Sequence, residues 1–239
     1  MQVFVSDLHL DADTPRATAA LGRVLARESL RCDAIYIVGD LVEAWVGDDD
    51  DDPFAISLRD LLAAAARRCR VVLMHGNRDF LLGPKFAAMT GVELVAEPRV
   101  LSTGLGRALL CHGDAFCTRD TAYLELRAVV RSPSWQADFL AKPIAERRGV
   151  AAHLRAESRK ATANKPAHIM DVTVDAIAAA AREHDAALVI HGHTHRPAIH
   201  AHELGDRIVR RYVLGDWAHC GWLLRLDGAS AQLECFALS

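Results

Sequence analysis

Short apolar runs, each closely followed by glycine, aspartate or histidine, are the feature that most restricts what this chain can fold into. Such runs are typical of buried strands, and they lie at residues 3–5, 34–38, 71–74, 108–111 and 187–190. Helical patterns separate them: Ala17, Leu21 and Val24 recur at helical spacing, and residues 54–67 follow Asp52-Pro53, a cap with a first-turn proline. The order β-α-β-α-β predicts an inner sheet with helices packed outside it.

The pattern changes to strands alone after residue 190. Strand-like segments lie at residues 199–202, 208–214, 221–226 and 232–236, with Gly-Asp and Asp-Gly turns between them. We therefore expect an α/β domain in which two sheets pack together and helices flank them. With 239 residues, 51% of them hydrophobic, the chain is long enough to form a single domain over residues 1–239.

Charge and hydropathy exclude several classes of protein. Lys and Arg number 28 against 31 Asp and Glu, so no basic excess points to nucleic acid. The longest purely apolar runs, residues 61–66 and 176–181, are far shorter than the ~20 residues of a membrane-spanning helix. The first residues have a strand pattern, so we expect no export signal. Six cysteines without a Cys-x-x-Cys pair favour a reducing cytosol over a disulfide framework or a zinc knuckle.

Residues 127–165 do not follow the alternation of strand and helix patterns seen in the first 190 residues. They carry nine Lys and Arg against three Asp and Glu, and they also hold the apolar residues Trp135, Phe139, Leu140 and Ile144. We expect a helical insertion with apolar and basic surfaces, which fits either a solvated helical hairpin or a surface for a membrane or an anionic, lipid-bearing ligand. The acidic run from Asp48 to Asp52 is interpreted as a hydrated loop that leads into a helix cap.

Five clusters of polar residues follow the predicted strands. In chain order they are Asp7-Leu8-His9, Gly39-Asp40, Gly76-Asn77-Arg78-Asp79, His112-Gly113-Asp114 and Gly192-His193-Thr194-His195. A lone buried histidine or Gly-Asp turn usually has no chemical role, but five clusters in this order favour one site. Side chains at i and i+2 of an extended segment point the same way, so Asp7 and His9 can converge on one point, as can His193 and His195. Because ligands of open α/β sheets bind beyond the carboxyl ends of the strands, we expect all five clusters to meet there.

The side chains gathered in this way favour metal binding. Burying carboxylates beside imidazoles is costly unless cations compensate them. The predicted ligands are Asp7, His9, Asp40, Asn77, His112, His193 and His195. Nitrogen and oxygen donors without thiolate favour Mn, Fe, Co or Zn. His75 and His191 lie beside these clusters and are interpreted as supporting or core residues.

The five clusters and their spacing resemble the calcineurin-like metallophosphoesterase superfamily over most of the chain, from Asp7 to His195. The resemblance implies a four-layer β-sandwich flanked by helices, and two adjacent metal ions, which we expect to be Mn²⁺. The implied ligands are Asp7, His9 and His195 for one ion and Asn77, His112 and His193 for the other, with Asp40 bridging. Such a pair stabilises the attacking and leaving oxygens of an in-line displacement at phosphorus, and it lowers the pKa of a bound water toward ~7. The implied catalytic residues are Asp40, Asn77, Arg78 and His193.

The chain departs from the superfamily pattern at Arg78, where a histidine usually follows the asparagine. That histidine is assigned to protonate or stabilise the leaving oxygen, whereas a guanidinium keeps its protons at physiological pH and does not serve as a general acid. A leaving alkoxide would need such a proton, but a phosphate monoester leaves as a stable anion without one. Arg78 therefore favours cleavage of a pyrophosphate bond.

A narrower resemblance, over the full length, is to hydrolases of a lipid-linked sugar nucleotide in lipid A biosynthesis. It depends on residues 113–123, Ser158-Arg159-Lys160 and Ile169-Met170-Asp171-Val172. It implies that water attacks the α phosphorus, on the nucleoside monophosphate side, and that a diacylated sugar 1-phosphate leaves. The implied substrate contacts are Asn77, Arg78, Asp120, Ser158, Thr162, Lys165 and His193.

The basic insertion suits a substrate of this kind. It alone offers both anion contacts and loose apolar surface, so we expect residues 127–165 to form a lid over the lipid. Its charge favours peripheral attachment to the anionic cytoplasmic face of the inner membrane, at ~1 kcal/mol per basic residue near the surface. No obligate protein partner is indicated.

Two other functions stay open on the sequence. One is a metallophosphoesterase that acts on a soluble nucleotide pyrophosphate or phosphodiester, which would share every metal ligand. The other is a binding or scaffold protein that keeps the fold without turnover, and the complete ligand set argues against it.

Overall fold

The computed structural model describes residues 1–163, 165–166 and 168–239, apart from the side chain of Thr162. Its strands are β1 (Gln2–Val5), β2 (Ala34–Val38), β3 (Arg70–Met74), β4 (Glu93–Val95), β5 (Arg99–Thr103), β6 (Gly106–Leu110), β7 (Leu188–His191), β8 (Ala198–Leu204), β9 (Arg207–Val213), β10 (Cys220–Asp227) and β11 (Ser230–Ala237). Its helices are α1 (Pro15–Glu28), α2 (Pro53–Ala66), α3 (Pro84–Thr90), α4 (Thr121–Val130), α5 (Pro133–Leu140), α6 (Ile144–Ala163) and α7 (Val174–Glu183). Every strand that the sequence predicts is present within a few residues of its expected bounds.

Two sheets form, as predicted, but they divide the strands differently from their order in the chain. The first sheet has the order β11-β10-β1-β2-β3-β4, and β1 to β4 run parallel. The second has the order β5-β6-β7-β9-β8. The strands expected to form one inner sheet are therefore divided between the two sheets: β1 to β3 lie in the first, and β6 and β7 lie in the second. Local patterns do not encode this division, because strand pairing is a long-range contact.

Three apolar clusters separate the helices and sheets. On β2, Ile35 and Ile37 face the helices, whereas Tyr36 between them faces the second sheet and packs in the same cluster as Ile190 of β7. The helix α7 covers the outer face of the second sheet through Ile177. The layers are therefore α/β/β/α, which confirms the predicted fold class.

Proline begins four of the described helices, α1, α2, α3 and α5. At α2 the carboxylate of Asp52 accepts a hydrogen bond of 2.9 Å from the backbone N–H of Phe54, so the predicted cap is present. The sequence patterns do not predict α3 or β4. Both are short, with seven and three residues, so neither shows a period that distinguishes it from a loop.

The helices α4 to α6, here called the helical cover, contain almost all of residues 127–165, although α4 begins earlier, at Thr121. Phe139 of α5 is buried in the cluster that packs under the helices. Arg147 pairs with Asp49 at 2.5 Å, and Arg148 pairs with Asp50 at 2.6 Å. The interpretation of the acidic run as a hydrated loop is therefore wrong for Asp50, which is buried and paired with α6, whereas Asp49 also pairs with α6 but has a side chain that is 52% exposed. None of the described helices is both long and apolar enough to span a bilayer, α6 included.

Candidate active site

The loops that follow five strands meet where the two sheets face each other. From the first sheet, Asp7 and His9 follow β1, Asp40 follows β2, and Asn77 and Arg78 follow β3. From the second, His112 follows β6, and His193 and His195 follow β7. The structure thus brings together the side chains that the sequence patterns single out as metal ligands, and we call this place the cleft.

Five of the residues in the cleft have a left-handed backbone. Their φ angles are 56° at Asp7, 49° at His9, 53° at Asp40, 67° at His193 and 54° at His195. Among the other described residues, only Asp185 and several glycines have a positive φ. This conformation costs a non-glycine residue ~1–2 kcal/mol and persists only where the surroundings over-determine it. Five such residues in one cleft indicate that the surrounding structure holds these loops in a specific geometry, as is typical of functional sites.

Two glycines let the loops approach one another closely. A Cβ atom on Gly192 would lie 2.1 Å from a carboxylate oxygen of Asp7, and one on Gly76 would lie 2.1 Å from a carboxylate oxygen of Asp40. A side chain at either position would force the loops apart, so each loop packs its bare backbone against a carboxylate from another strand.

Asp7, His9 and His195 form one group of donor atoms, all within 4.8 Å of one another. Nε2 of His9 lies 3.1 Å from Nε2 of His195, which lies 3.5 Å from Oδ1 of Asp7. Two imidazole nitrogens that face each other beside a carboxylate are an arrangement that a shared cation stabilises.

A second group surrounds Asn77. Its Oδ1 lies 3.0 Å from Nε2 of His112 and 2.9 Å from Nδ1 of His193. Nδ1 of His112 lies 3.0 Å from the carbonyl oxygen of Val38, which only accepts, so Nδ1 carries the proton. Nε2 of His112 therefore faces the Asn77 oxygen, and its lone pair becomes available there when an incoming cation displaces the Nε2 proton. Nε2 of His112 and Oδ1 of Asn77 could then both bind that cation.

Asp40 lies between the two groups. Its Oδ2 is 3.8 Å from Nε2 of His9, and its Oδ1 is 3.6 Å from Nε2 of His112. The backbone N–H of Arg78 donates to the same Oδ1 at 2.8 Å, which fixes the carboxylate. Asp7, Asp40 and His112 also offer donor atoms within 4.8 Å of one another. One carboxylate thus faces both groups at once.

Negative charge dominates the electrostatics of the cleft. Burial opposes protonation of His112, yet the carboxylates of Asp40 and Asp7 raise its pKa to about 9. Burial and the nearby His112 lower the pKa of His193 to about 4. Burial also opposes ionisation of Asp7, but the hydrogen bond to His195 and the charge of His112 hold its pKa well below the ordinary range. A buried imidazole that keeps a proton because carboxylates surround it marks a place that fits a metal cation.

A cavity next to the two groups holds most of the other predicted site residues. Arg78, Asp120 and Ser158 line it, together with Tyr123. Nε of Arg78 is buried and has no hydrogen-bond partner among the described residues. Lys165 contacts Asp120, with Nζ 2.7 Å from Oδ1. Thr162 lies in the last turn of α6, and its side chain is outside the described residues.

A charged network behind the cavity goes beyond the sequence predictions. Asp114 is fully buried and accepts hydrogen bonds from the Tyr123 hydroxyl at 2.5 Å and from Nε of Arg127 at 2.7 Å. Arg127 also pairs with Glu97, whose Oε2 accepts from the backbone N–H of His112 at 3.0 Å. Despite its burial, the nearby cations, His112 first, hold the pKa of Asp114 far below its ordinary range. The motif after β6 contains Asp114 and could have indicated it, whereas no sequence signal marks Glu97.

An apolar cavity lies under the helical cover and shares a wall with the polar one. Its apolar lining includes Trp45, Phe80, Leu81, Leu126, Val130, Trp135, Phe139 and Leu154. The residues common to both cavities are Asn77, Arg78, Tyr123 and Ser158. The rings of Trp135 and Phe139 stack with their centroids 4.9 Å apart. A ligand with a phosphate at one end and an apolar part at the other would fill both.

The model of the calcineurin-like phosphoesterase family matches residues 3–197. The chain belongs to the calcineurin-like phosphoesterase family, and the resemblance seen in the sequence is confirmed. Divalent metal binding is a property of this family, and the donor groups of the cleft are its candidate sites.

The chain is also similar to individual proteins of nearly the same length. The UDP-2,3-diacylglucosamine hydrolase of Cellvibrio japonicus is 46% identical over 236 residues and covers 97% of both chains. The UDP-2,3-diacylglucosamine hydrolase of Pseudomonas paraeruginosa is 45% identical over 239 residues and covers 99% of both. A solved archaeal phosphodiesterase aligns over 98% of this chain and 99% of its own, with a TM-score of 0.50 and 12% identity, which shows a shared fold.

Proposed function

We propose that this chain hydrolyses the pyrophosphate bond of UDP-2,3-diacylglucosamine and releases UMP and 2,3-diacylglucosamine 1-phosphate, a reaction of lipid A biosynthesis. Relatives that match over nearly the full length are named for this substrate. The observation that carries the proposal is the wall shared by the polar and the apolar cavities. A soluble nucleotide pyrophosphate or phosphodiester would leave the apolar cavity unused, and for that reason the soluble alternative is not favoured.

The side chains of the cleft would hold two divalent cations, which we take to be Mn²⁺. Asp7, His9 and His195 would hold one, Asn77, His112 and His193 would hold the other, and Asp40 would be shared. Support comes from the close approach of Nε2 of His112 to Oδ1 of Asn77 and from the two oxygens of Asp40, each directed at a different group. When bound, such a pair supplies a water of lowered pKa and neutralises charge on the phosphoryl group.

Arg78 would bind the pyrophosphate between the two cavities. Its buried Nε needs an acceptor, and a phosphate oxygen supplies one. Asn77 and His193 contact each other and line the same cavity, and they would contact the attacked phosphorus group. Because a guanidinium does not protonate a leaving group, the leaving group has to be stable as an anion. A sugar 1-phosphate meets this condition and an alkoxide does not.

Asp120, Ser158 and Lys165 would bind the sugar and the phosphates. Asp120 and Ser158 line the polar cavity. Lys165 forms an ion pair with Asp120, so its ammonium group lies beside the polar cavity and its positive charge is compensated. Thr162 is proposed as a contact on the family resemblance alone.

The helical cover would act as a lid over the acyl chains. Its apolar side chains line the cavity, and its basic side chains hold it to the body: Arg127 contacts Asp114, Arg147 contacts Asp49, and Arg155 contacts Glu43. Paired in this way, these charges support docking of the cover more directly than binding of lipid phosphate.

Peripheral binding to the cytoplasmic face of the inner membrane would then depend on apolar contacts. Leu126, Val129 and Leu140 of the cover are 46%, 55% and 41% exposed. Transfer of exposed apolar side chains from water into the lipid interface lowers the free energy and so favours membrane binding. We expect sedimentation with vesicles to change only modestly with salt, since the basic side chains named above are already paired.

The experiment that tests the proposed function is hydrolysis of UDP-2,3-diacylglucosamine by the full chain with Mn²⁺ in ¹⁸O-labelled water. Attack on the α phosphorus places the label in UMP. Label in the sugar phosphate would contradict the proposed regiochemistry. Faster turnover of a soluble nucleotide pyrophosphate than of the lipid substrate would contradict the proposed substrate.

A further inference from the structure

Glu43 lies beside the cleft but belongs to neither group of ligands. The chain after β2 continues alongside the chain after β1: the N–H of His9 donates to the carbonyl of Asp40 at 3.1 Å, and the N–H of Glu43 donates to that of Leu10 at 3.0 Å. These bonds extend the parallel pairing of β1 and β2 past the ends of the strands. The backbone itself therefore holds Glu43 next to His9.

The imidazole of His9 presents only one nitrogen to the cleft. Nε2 faces His195 at 3.1 Å and Asp40 at 3.8 Å. The other nitrogen, Nδ1, is buried and has no hydrogen-bond partner among the described residues. Oε2 of Glu43 lies 3.1 Å from it, at the distance of a hydrogen bond but not at its angle.

The helical cover holds the other side of Glu43. Arg155 of α6 forms an ion pair with the carboxylate of Glu43 and donates to its carbonyl oxygen. The side chains of Arg155 and Glu43 are only 12% and 28% exposed, so solvent screens this pair weakly. Both residues also line the apolar cavity. One carboxylate thus contacts a proposed metal ligand and the cover.

We propose that Glu43 is a positioning residue that orients His9, and that Arg155 links this orientation to the seating of α6. A carboxylate that accepts from Nδ1–H selects the tautomer whose Nε2 lone pair is free for a cation. Glu43 acts through His9 in this role and is not itself a ligand. The inference depends on the proposed cation centre and not on the identity of the substrate.

A consequence is that the two cation sites respond differently to Glu43. His9 belongs to the group with Asp7 and His195, whereas Asn77 and His112 build the other group. Loss of the Glu43 carboxylate should therefore weaken one site and leave the other near its normal affinity. A residue that only supported the fold would affect both sites or neither.

The test is a titration of the metal-free full chain with Mn²⁺, with free Mn²⁺ followed by electron paramagnetic resonance. Loss of a supporting carboxylate lowers metal affinity ~10–100-fold, so Glu43→Ala should weaken one site by that factor. Glu43→Gln should weaken it less, because the amide oxygen still accepts. Arg155→Met should shift the same site by a smaller factor. The control is Glu93→Ala, which removes an ion-paired carboxylate of β4 and should change neither site.

A second readout separates positioning from folding. In the Zn²⁺-loaded protein, the Nδ1–H proton of His9 should be protected in the wild type and exchange faster in Glu43→Ala, with unchanged circular dichroism. If Glu43→Ala and Glu43→Gln both bind Mn²⁺ as the wild type does, the inference is overturned. If the wild type itself binds fewer than two Mn²⁺, the proposed cation centre fails and this inference fails with it, so the two failures are distinguishable.

Discussion

Glu28 and Asp40 are both buried carboxylates, yet their surroundings are opposite. The carboxylate of Glu28 contacts Arg225 and Arg27, each at 2.7 Å. That of Asp40 meets imidazoles and a backbone N–H, and no Lys or Arg side chain lies within ion-pair distance of it among the described residues. Asp79 lies close by, and burial together with the charge of Asp40 raises its pKa.

The difference separates two uses of buried charge. Around Glu28 the fold supplies its own cations, so the charge is neutralised when the chain folds and the pair serves stability. Around Asp40 the fold supplies imidazoles but no Lys or Arg side chain among the described residues, and we propose that this charge serves to bind a cation from solution. The predictions below test this division.

The largest effect is expected from Asp40→Asn. The amide cannot face both ligand groups as an anion, so we expect turnover of the lipid substrate to fall by at least about 10³-fold, the upper end for loss of one electrostatic group. Because the substitution removes a like charge beside Asp79, the metal-free variant should unfold at the same temperature as the wild type or higher. Activity above a tenth of the wild-type value would show that Asp40 is not shared by the cations.

Glu28→Gln should have the reverse profile. It leaves Arg27 without a carboxylate and Arg225 with Glu234 alone, and we expect the free energy of unfolding to fall by about 2 kcal/mol, less than for a fully enclosed pair because Arg27 reaches solvent. The rate per folded molecule should not change. Urea denaturation and initial rates measure the two quantities, and a loss of rate without a loss of stability would refute the division.

The contribution of Glu28 should also depend on pH. Although burial opposes it, the hydrogen bonds from Arg225 and Arg27 lower the pKa of Glu28 below its ordinary value. A lowered folded-state pKa gives stability that is present above the ordinary pKa of about 4.3 and is lost as the pH falls through the folded value. The difference in unfolding free energy between wild type and Glu28→Gln should therefore be full at neutral pH and shrink in acid. A difference that grows in acid would contradict the assignment.

Leu126→Asp tests the lid without removing core residues such as Phe139. Leu126 lines the apolar cavity and is 46% exposed, so the fold should tolerate a carboxylate there. We expect kcat/KM for the diacylated substrate to fall about 10-fold, in line with the loss of one apolar contact. Hydrolysis of a small aryl phosphodiester should not change. Leu30→Asp, at an exposed leucine that lines neither cavity, is the matched control.

The smallest effect is expected from Arg70→Ala. Arg70 and Glu93 form a close ion pair, but both side chains are nearly half exposed, so its loss should cost less than about 0.5 kcal/mol of unfolding free energy. Activity should stay constant. A cost as large as that of Glu28→Gln would mean that burial is not what separates strong pairs from weak ones here.

The amino-acid sequence by itself determined nine of the eleven described strands, all except β4 and β5, together with the helix α2 with its cap at Asp52 and the residue types at the strand ends. These follow from short-range causes: short runs of apolar residues, turn glycines and the first-turn proline at Pro53. The same local signals predicted which side chains enter the cleft, because residues after parallel strands gather at one edge.

Only the tertiary structure decided how these parts meet. It divided the strands between two sheets, brought Glu43 against His9, and paired Arg147 with Asp49 across 98 residues of chain. The physical reason is that ion pairs and sheet partners form between segments far apart in sequence, and no local period records which distant segment will be the neighbour.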